Sequence, residues 1–401
     1  MSEPGPLTVF CIATYEKGQE FIRECKRQGC RVLLLTTEAL RDADWPREAI
    51  DETFYVPRDI DRESLLKGVS HVARTRRIDR IVALDDFDVE TAALLREHLR
   101  VPGMGETTAR YFRDKLAERM KARNFGILVP DFVHTVNDAQ ITAFADRAPL
   151  PWILKPRSQA AAIGMKKIER VEDLWPALDE LGDRRSFYVL ERFVAGDVFH
   201  VDAIVWEKAV VFQSMHRYGQ PPFQVAHGGG IFTTTSVPTH DPAWAALERI
   251  NRDVLTTFGI VRGVTHTEFI RSAADGRFLF LETSARVGGA FIVDLVEAES
   301  GLNLWREWAK LEIAGEDGTY RVPRAAERSA GLVLTLAKQE WPDLSGYTDP
   351  EIVYRVTKAN HAGLIVASDD QARVAALLEE YSRRFQQDFF AFAPAPERPP
   401  D

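Results

Sequence analysis

The chain has 401 residues, 45% of them apolar and 28% charged, with a formal charge of −9. That length exceeds one ordinary core, so two or three domains of a globular protein are expected. The acidic balance argues against a general nucleic-acid binder, though not against a nucleotide, since local lysines and backbone amides hold phosphate inside acidic proteins.

The first segment alternates strand and helix. LTVFCIA reads as a buried strand, and GQEFIRECKRQG as a helix with Phe21, Ile22 and Cys25 on one face and Gly29 as its stop. RVLLLT and RIVALD are further strands, and VETAALLREHL is a helix. This βαβ rhythm predicts a parallel sheet covered by helices. The first strand–helix turn, ATYEKGQ, lacks G-x-G-x-x-G, which argues against a dinucleotide site. Cys11, Cys25 and Cys30 form no C-x-x-C pair and are expected to be reduced, buried thiols of a cytoplasmic protein. The start has no basic region before a long apolar stretch, so no signal peptide is expected, and no apolar run suffices to cross a bilayer.

VPGMGETT reads as a linker. A helix is expected over 109–123, with Phe112, Leu116 and Met120 as its apolar stripe and Lys115 off it. The chain then becomes strand-rich: PWILKP, SFYVLERFV, FHVDAIV and AVVFQSM, with the helix VEDLWPALDEL between the first two. After the loop QPPFQVAHGGG come FTTTSV, a helix around WAALERINRDVLTTF, and two strands, VTHTEFI and RFLFLETSAR, joined by Ala274-Asp275-Gly276. Helices DLVEAESG and NLWREWAKLEIAG follow. From about Arg324 a small α+β cap is expected, and the tail APAPERPPD reads as disordered.

The last strand pair carries the most information. Alternate strand residues share a face, so Glu282, Ser284 and Arg286 point one way, and His266 and Glu268 share a face on the partner. A two-residue turn would pair Glu268 with Thr283 and separate the carboxylates. A three-residue turn, with Gly276 left-handed beside a bulge, pairs Glu268 with Glu282. Opposed carboxylates repel, and oxygen ligands suit Mg²⁺, which shares its coordination with substrate phosphates. An isolated pair of glutamates would more simply be a solvated sheet face; Ser284 and Arg286 in line favour the cation.

Other positions add to this. Lys155 ends an apolar strand before a small-residue loop, where it can neutralise phosphate, although such a lysine alone often only snorkels. The ERFVAGD run, Glu191 to Asp197, offers a strand end for an adenine edge, with Glu191 accepting from its amine; the plain alternative is a strand-to-turn transition. His227 to Gly230 would let backbone approach an anion, or be a surface loop. His216, Arg217 and Tyr218 end a strand and can line a pocket, although a histidine there is more often only a polar loop residue. Arg286, beside Gly288 and Gly289, is either a salt-bridge partner of the carboxylates or a stabiliser of a transferring phosphoryl group.

Taken in order, RDKLAERMKARNFGILVPDF, WILKPRSQAAAIG, LERFVAGDVFHVDAIV, HTEFI and LETSARVGG resemble the ATP-grasp superfamily, and within it the carboxylate–amine ligases, including L-amino acid ligases. The resemblance runs from about Leu7 to the C-terminal cap. It implies an α/β and α+β chain: an N-terminal Rossmann-like pre-ATP-grasp domain (1–105), an ATP-grasp domain (106–320), a C-terminal α+β cap (321–395) and a disordered tail (396–401). It implies that Lys115 and Lys155 contact ATP phosphates, that Glu191 and Val194 hold adenine, and that Glu268 and Glu282 bind Mg²⁺ or Mn²⁺. Arg286, with Lys155, would be catalytic, stabilising the acyl phosphate and the tetrahedral intermediate. Ser284 stands where the family usually has Asn, with a shorter reach to a second metal. Asp197, Val198 or His200 would meet the ribose. Arg217, His227, Gly228, Gly229, His266 and Gly288 are the expected substrate contacts.

The expected activity is ATP-dependent joining of an amino acid or related acid to an amine through an acyl phosphate. Its partners would be the small carboxylate and amine, with no nucleic acid or membrane, in a chain that can form a homodimer. The alternatives are a bicarbonate-activating relative of biotin carboxylase or the purine-pathway carboxylases, and a non-catalytic ATP-binding regulator.

Overall fold

The computed structural model describes residues 5–159, 163–316 and 318–392, without the side chains of Ala226 and His227. The tail 396–401 and the alanines of the loop after Lys155 lie outside the described residues.

The N-terminal segment forms a parallel sheet of order β3-β2-β1-β4: β1 (Thr8–Ala13), β2 (Arg31–Thr37), β3 (Glu52–Val56) and β4 (Arg80–Ala83). Its strands are apolar on both faces because helices cover both. The helix Gln19–Arg27 buries Phe21, Ile22 and Cys25 on one side, and Val89–Leu99 buries Ala92, Ala93 and Leu95 on the other. Gly18 takes φ 88° at the β1–helix turn, where a Cβ would meet Leu84, so only glycine fits there. All three cysteines are buried and free.

A second, antiparallel sheet has order β5-β8-β6-β7: β5 (Phe132–His134), β6 (Trp152–Pro156), β7 (Lys166–Ile168) and β8 (Tyr188–Arg192). The third sheet is the largest. It comprises β9 (Gly196–Trp206), β10 (Ala209–Tyr218), β11 (Phe232–Ser236), β12 (Gly263–Ser272), β13 (Phe278–Ser284), β14 (Ser329–Leu336), β15 (Ile352–Arg355) and β16 (His361–Ser368). Its order is β13-β12-β9-β10-β11-β14-β16-β15. The C-terminal strands therefore continue the central sheet through the β11–β14 pairing, with the helix Gln371–Asp388 packed on them. Among the described residues, no helix is long and apolar enough to cross a membrane.

Two local expectations need correction. The helix expected over 109–123 is broken: Glu106–Ala109 and a short turn to Phe112 precede a separate helix, Lys115–Asn124. Asp114 interrupts the run, because its carboxylate caps the amides of Leu116 and Ala117 and also binds Arg157. The buried face of the new helix is charged (Lys115, Glu118 and Arg119, with Leu116 and Ala122), while Met120, expected in the apolar stripe, is exposed. Part of the loop expected at QPPFQVAHGGG is the helix Pro222–Gly228, with proline at its favoured first turn.

Candidate active site

The hairpin β12–β13 places Glu268 directly opposite Glu282. The route to that register differs from the three-residue turn considered above. Ser272 bonds Arg277 and Gly276 bonds Ser272, so four residues, Ala273 to Gly276, make the turn, with Gly276 at φ 70°. That turn pairs Phe269 with Phe280 and would set Glu268 against Leu281. A β-bulge between Glu268 and Phe269 skips Leu281 and restores the pairing of the two carboxylates.

Two cavities meet at this pair. A cleft of about 280 Å³ between the second and third sheets is lined by Lys155, Glu191, Val194, Glu268 and Glu282. A wider cavity of about 1070 Å³ shares Lys115, Glu268 and Glu282 and extends past Ser284, Arg286 and His266 toward the N-terminal sheet and the C-terminal segment.

Lys115, the first residue of its helix, reaches Glu282 at 2.8 Å and the Gln159 carbonyl at 2.7 Å. Burial would raise the Glu282 pKa, but the charge and hydrogen bond of Lys115 hold it well below the usual carboxylate range. Deeper in the cleft, Glu191 receives Lys155 at 2.7 Å and Arg119 at 2.9 Å. Burial again opposes its ionisation, and the two cations win, keeping its pKa low. Burial lowers the Lys155 pKa despite Glu191. Beside them, burial lifts Glu118 to about 8 against Lys115 and Arg119.

Glu191 was expected to accept from an adenine amine through its side chain. Both of its oxygens instead face cations, which makes it an anchor for the two side chains. An adenine edge would fall to the linking backbone around Val194, which lines the cleft where the chain passes from β8 to β9.

Arg286 donates to the Val287 carbonyl at 2.6 Å, and its buried Nε, 3.9 Å from Asp86, has no hydrogen-bond partner among the described residues. Asp86 is itself buried and paired with Arg113, and Ser284 lies beside it. Thus the turn after β4 brings an acidic residue of the N-terminal segment to the site, a contribution the sequence reading missed.

Behind Glu268 runs a row of buried polar groups. Tyr218 donates its hydroxyl to Glu268 at 2.9 Å. His266 approaches Glu268 at 3.7 Å and binds Asp202 through Nδ1 at 2.9 Å. Burial alone would lower the His266 pKa; the charges and hydrogen bonds of Asp202 and Glu268 raise it to about 9. Asp202 also accepts from His200 Nδ1 at 2.7 Å, and His200 Nε2 meets Thr234 at 2.9 Å. Asp202 was legible as an anomaly, an acid inside the apolar run FHVDAIV, and Arg119 as a basic residue one turn after Lys115.

Several expected contacts lie elsewhere. Asp197 is exposed and pairs with Arg271 at 2.7 Å, while Val198, one residue on, lines the cleft. Strand alternation turns them to opposite faces. His200 is wholly buried with both ring nitrogens used, and burial drives its pKa down to about 3, so it is unavailable to a ribose. Arg217 is exposed on the far face of β10, with Tyr218 facing the cavity in its place. Gly228 ends the helix Pro222–Gly228, and Gly229 packs against Phe390 and Phe392. The His227 side chain lies outside the described residues. Gly288 approaches Asp202 so closely that a Cβ would stand 2.9 Å from its carboxylate, a packing role.

This arrangement of three sheets is the ATP-grasp fold, and in sequence the chain is similar to carboxylate–amine ligases. It is 24% identical over 320 residues to the L-arginine-specific L-amino acid ligase of Bacillus subtilis, covering 75% of this chain and 76% of that one. The crystal structure of an L-amino acid ligase from Bacillus licheniformis superposes with a TM-score of 0.74 at 19% identity, over 97% of this chain and 99% of the other. The biotin carboxylase domain dimer of the Hydrogenobacter thermophilus 2-oxoglutarate carboxylase, solved with MgADP, ADP and bicarbonate, gives a TM-score of 0.70 at 14% identity, over 96% and 91%. No model of a known protein family matches the chain.

Proposed function

We propose that the protein activates the carboxylate of an amino acid or related acid with ATP and joins it to an amine, releasing ADP and phosphate. The observation that carries this reading is the facing of Glu268 and Glu282 where the two cavities meet, with Lys115, Lys155 and Arg286 around them. The division proposed is an N-terminal domain over 1–105, the nucleotide and metal domain over 106–320, and a C-terminal unit over 321–395.

The donor set fits a hard divalent cation. Glu268 and Glu282 are oxygen ligands facing one another, which repel unless a cation joins them, and Ser284 lies next in line on β13. Bound there with ATP, Mg²⁺ (or Mn²⁺ in its place) would polarise and neutralise the phosphates. Lys155 and Lys115 would meet phosphate oxygens, exchanging part of their present pairing with Glu191 and Glu282. The substrate carboxylate, in the wider cavity, attacks the γ-phosphorus and ADP leaves. The amine nitrogen then attacks the acyl carbon, and the tetrahedral intermediate collapses with loss of phosphate and of the amine's proton. Arg286, whose Nε has no hydrogen-bond partner among the described residues, would hold the oxygens on which charge develops in both steps. Tyr218 fixes the orientation of Glu268. Gln159, Ile163 and Met165 line the cleft and would help exclude water from the acyl phosphate; the alanines of the loop expected to close lie outside the described residues.

The test is a screen of acid and amine pairs for phosphate release, with mass spectrometry of the product. Release that requires both an acid and an amine supports the ligase. Release with bicarbonate alone would move the protein to the bicarbonate-activating enzymes, and ATP binding without release under any pair would make it a regulator.

A further inference from the structure

A third cavity, of about 220 Å³, shares no lining residue with the two that meet at the carboxylate pair. Its walls come from distant parts of the chain. Arg80 belongs to β4 and Arg96 to the helix Val89–Leu99, both in the N-terminal segment. Ala285 follows β13, and the helix Leu304–Ala314 adds Trp308 and Glu312.

The two arginines of the N-terminal segment lack a counter-charge. Arg96 donates Nε to the Ile81 carbonyl at 2.8 Å and Nη1 to the Met104 carbonyl at 3.2 Å. Arg80 donates Nε to the Glu312 carbonyl at 2.7 Å and Nη1 to the Asp79 carbonyl at 2.8 Å. These bonds leave further N–H donors on each guanidinium. Neither arginine forms an ion pair among the described residues. Burial lowers the Arg96 pKa, and the charge of Glu312 opposes that only in part. The remaining charges of the cavity are placed differently. Arg262 is paired with Glu207, Glu312 accepts the Trp308 indole N–H at 3.0 Å, and Glu316 is exposed. Backbone also closes on both cations at glycines. A Cβ on Gly315, at φ 59°, would collide with Arg80 Nη2, and one on Gly103, at φ 138°, would stand 2.8 Å from Arg96 Cδ.

A cation removed from water is unfavourable until acceptors or an anion compensate it. Carbonyl oxygens do so in part here, and the planar guanidinium fork matches the paired oxygens of a carboxylate or phosphate. We propose that this cavity binds a small oxyanion, a phosphate or carboxylate group, through Arg80 and Arg96, at a site separate from the active site. Its occupant joins the N-terminal segment, which brings Asp86 to the active site, to Ala285, the residue between Ser284 and Arg286.

The experiment titrates the full-length protein, free of nucleotide and Mg²⁺, with inorganic phosphate and separately with acetate. Each calorimetric titration is matched by sodium chloride at equal ionic strength. At least one of the two anions is expected to bind beyond the chloride control, and the tighter one identifies the group the site prefers. Because phosphate can also enter the active site, Arg286→Ala is the reference, in which affinity for the preferred anion should stay within about twofold. Arg96→Met and Arg80→Met should each weaken binding about tenfold or more, the loss of a charge-assisted contact. Arg96→Lys, which keeps the charge without the fork, should fall between. Saturating anion should raise the thermal midpoint of the wild type and leave that of Arg80→Met unmoved. No binding beyond the chloride control would overturn the site. So would binding that Arg286→Ala abolishes while Arg80→Met and Arg96→Met leave it unchanged. Should Arg96→Met fold poorly, Arg80→Met, at a partly exposed residue, decides by the same criterion.

Discussion

Glu282 and Glu191 make an instructive pair. Each accepts from a lysine that borders the same cleft, Lys115 at 2.8 Å and Lys155 at 2.7 Å. Yet the Glu282 side chain keeps a third of its surface, whereas Glu191 keeps 5% and is enclosed by a second cation, Arg119. The closed cluster of Glu191, Arg119 and Lys155 sets two cations about one carboxylate and resembles a structural ion network. The open pair, Glu282 facing Glu268, has one lysine for two carboxylates. The same residue type is thus a closed anchor at Glu191 and, on the proposed reading, an open ligand donor at Glu282.

Mutations should separate the two. Glu282→Gln is expected to lower ATP-dependent phosphate release by about a thousandfold or more, since a cation bound by two carboxylates loses one charged ligand. Its thermal midpoint should stay within a few degrees of wild type; turnover near the wild-type rate would remove Glu282 from the site. Arg119→Met should act the opposite way. It leaves Glu191 and Glu118 buried with one fewer cation, a loss of about 3–5 kcal/mol in denaturant unfolding. A variant as stable as the wild type would show that the closed cluster needs no matching charge.

Arg286→Ala is expected to reduce kcat about a hundredfold with ATP affinity changed only a few-fold, because in the proposed reaction its Nε, without a hydrogen-bond partner among the described residues, would meet charge that develops only at the transition state. Loss of ATP binding with kcat retained would place Arg286 on the nucleotide instead. Asp197→Ala should be nearly silent, with ATP affinity within about twofold, because an exposed pair with Arg271 contributes little. A tenfold loss of affinity there would restore the ribose role that its outward direction argues against.

Much of this was legible in the order of residues. The alternating start gave the parallel sheet, because buried strands and amphipathic helices have different periods. The strand pair with two glutamates, the lysine closing β6 and the arginine after β13 were all visible as charged residues beside apolar runs. The broken helix before Lys115 was not, because Asp114 acts as a cap only through where its amide partners fall. Asp197 and Val198 were indistinguishable, because one residue of strand phase decides which faces the cleft.

By itself, then, the sequence determined the succession of elements and the chemical kinds of side chain available, through local propensity and periodicity. Tertiary structure alone decided that a four-residue turn plus a bulge at Leu281 sets Glu268 against Glu282. It also decided that Asp86 arrives from the turn after β4 and Trp341 and Lys358 from the last segment. Register and long-range convergence depend on how strands twist and sheets pack, and no local stretch of chain encodes the distance between residues two hundred positions apart.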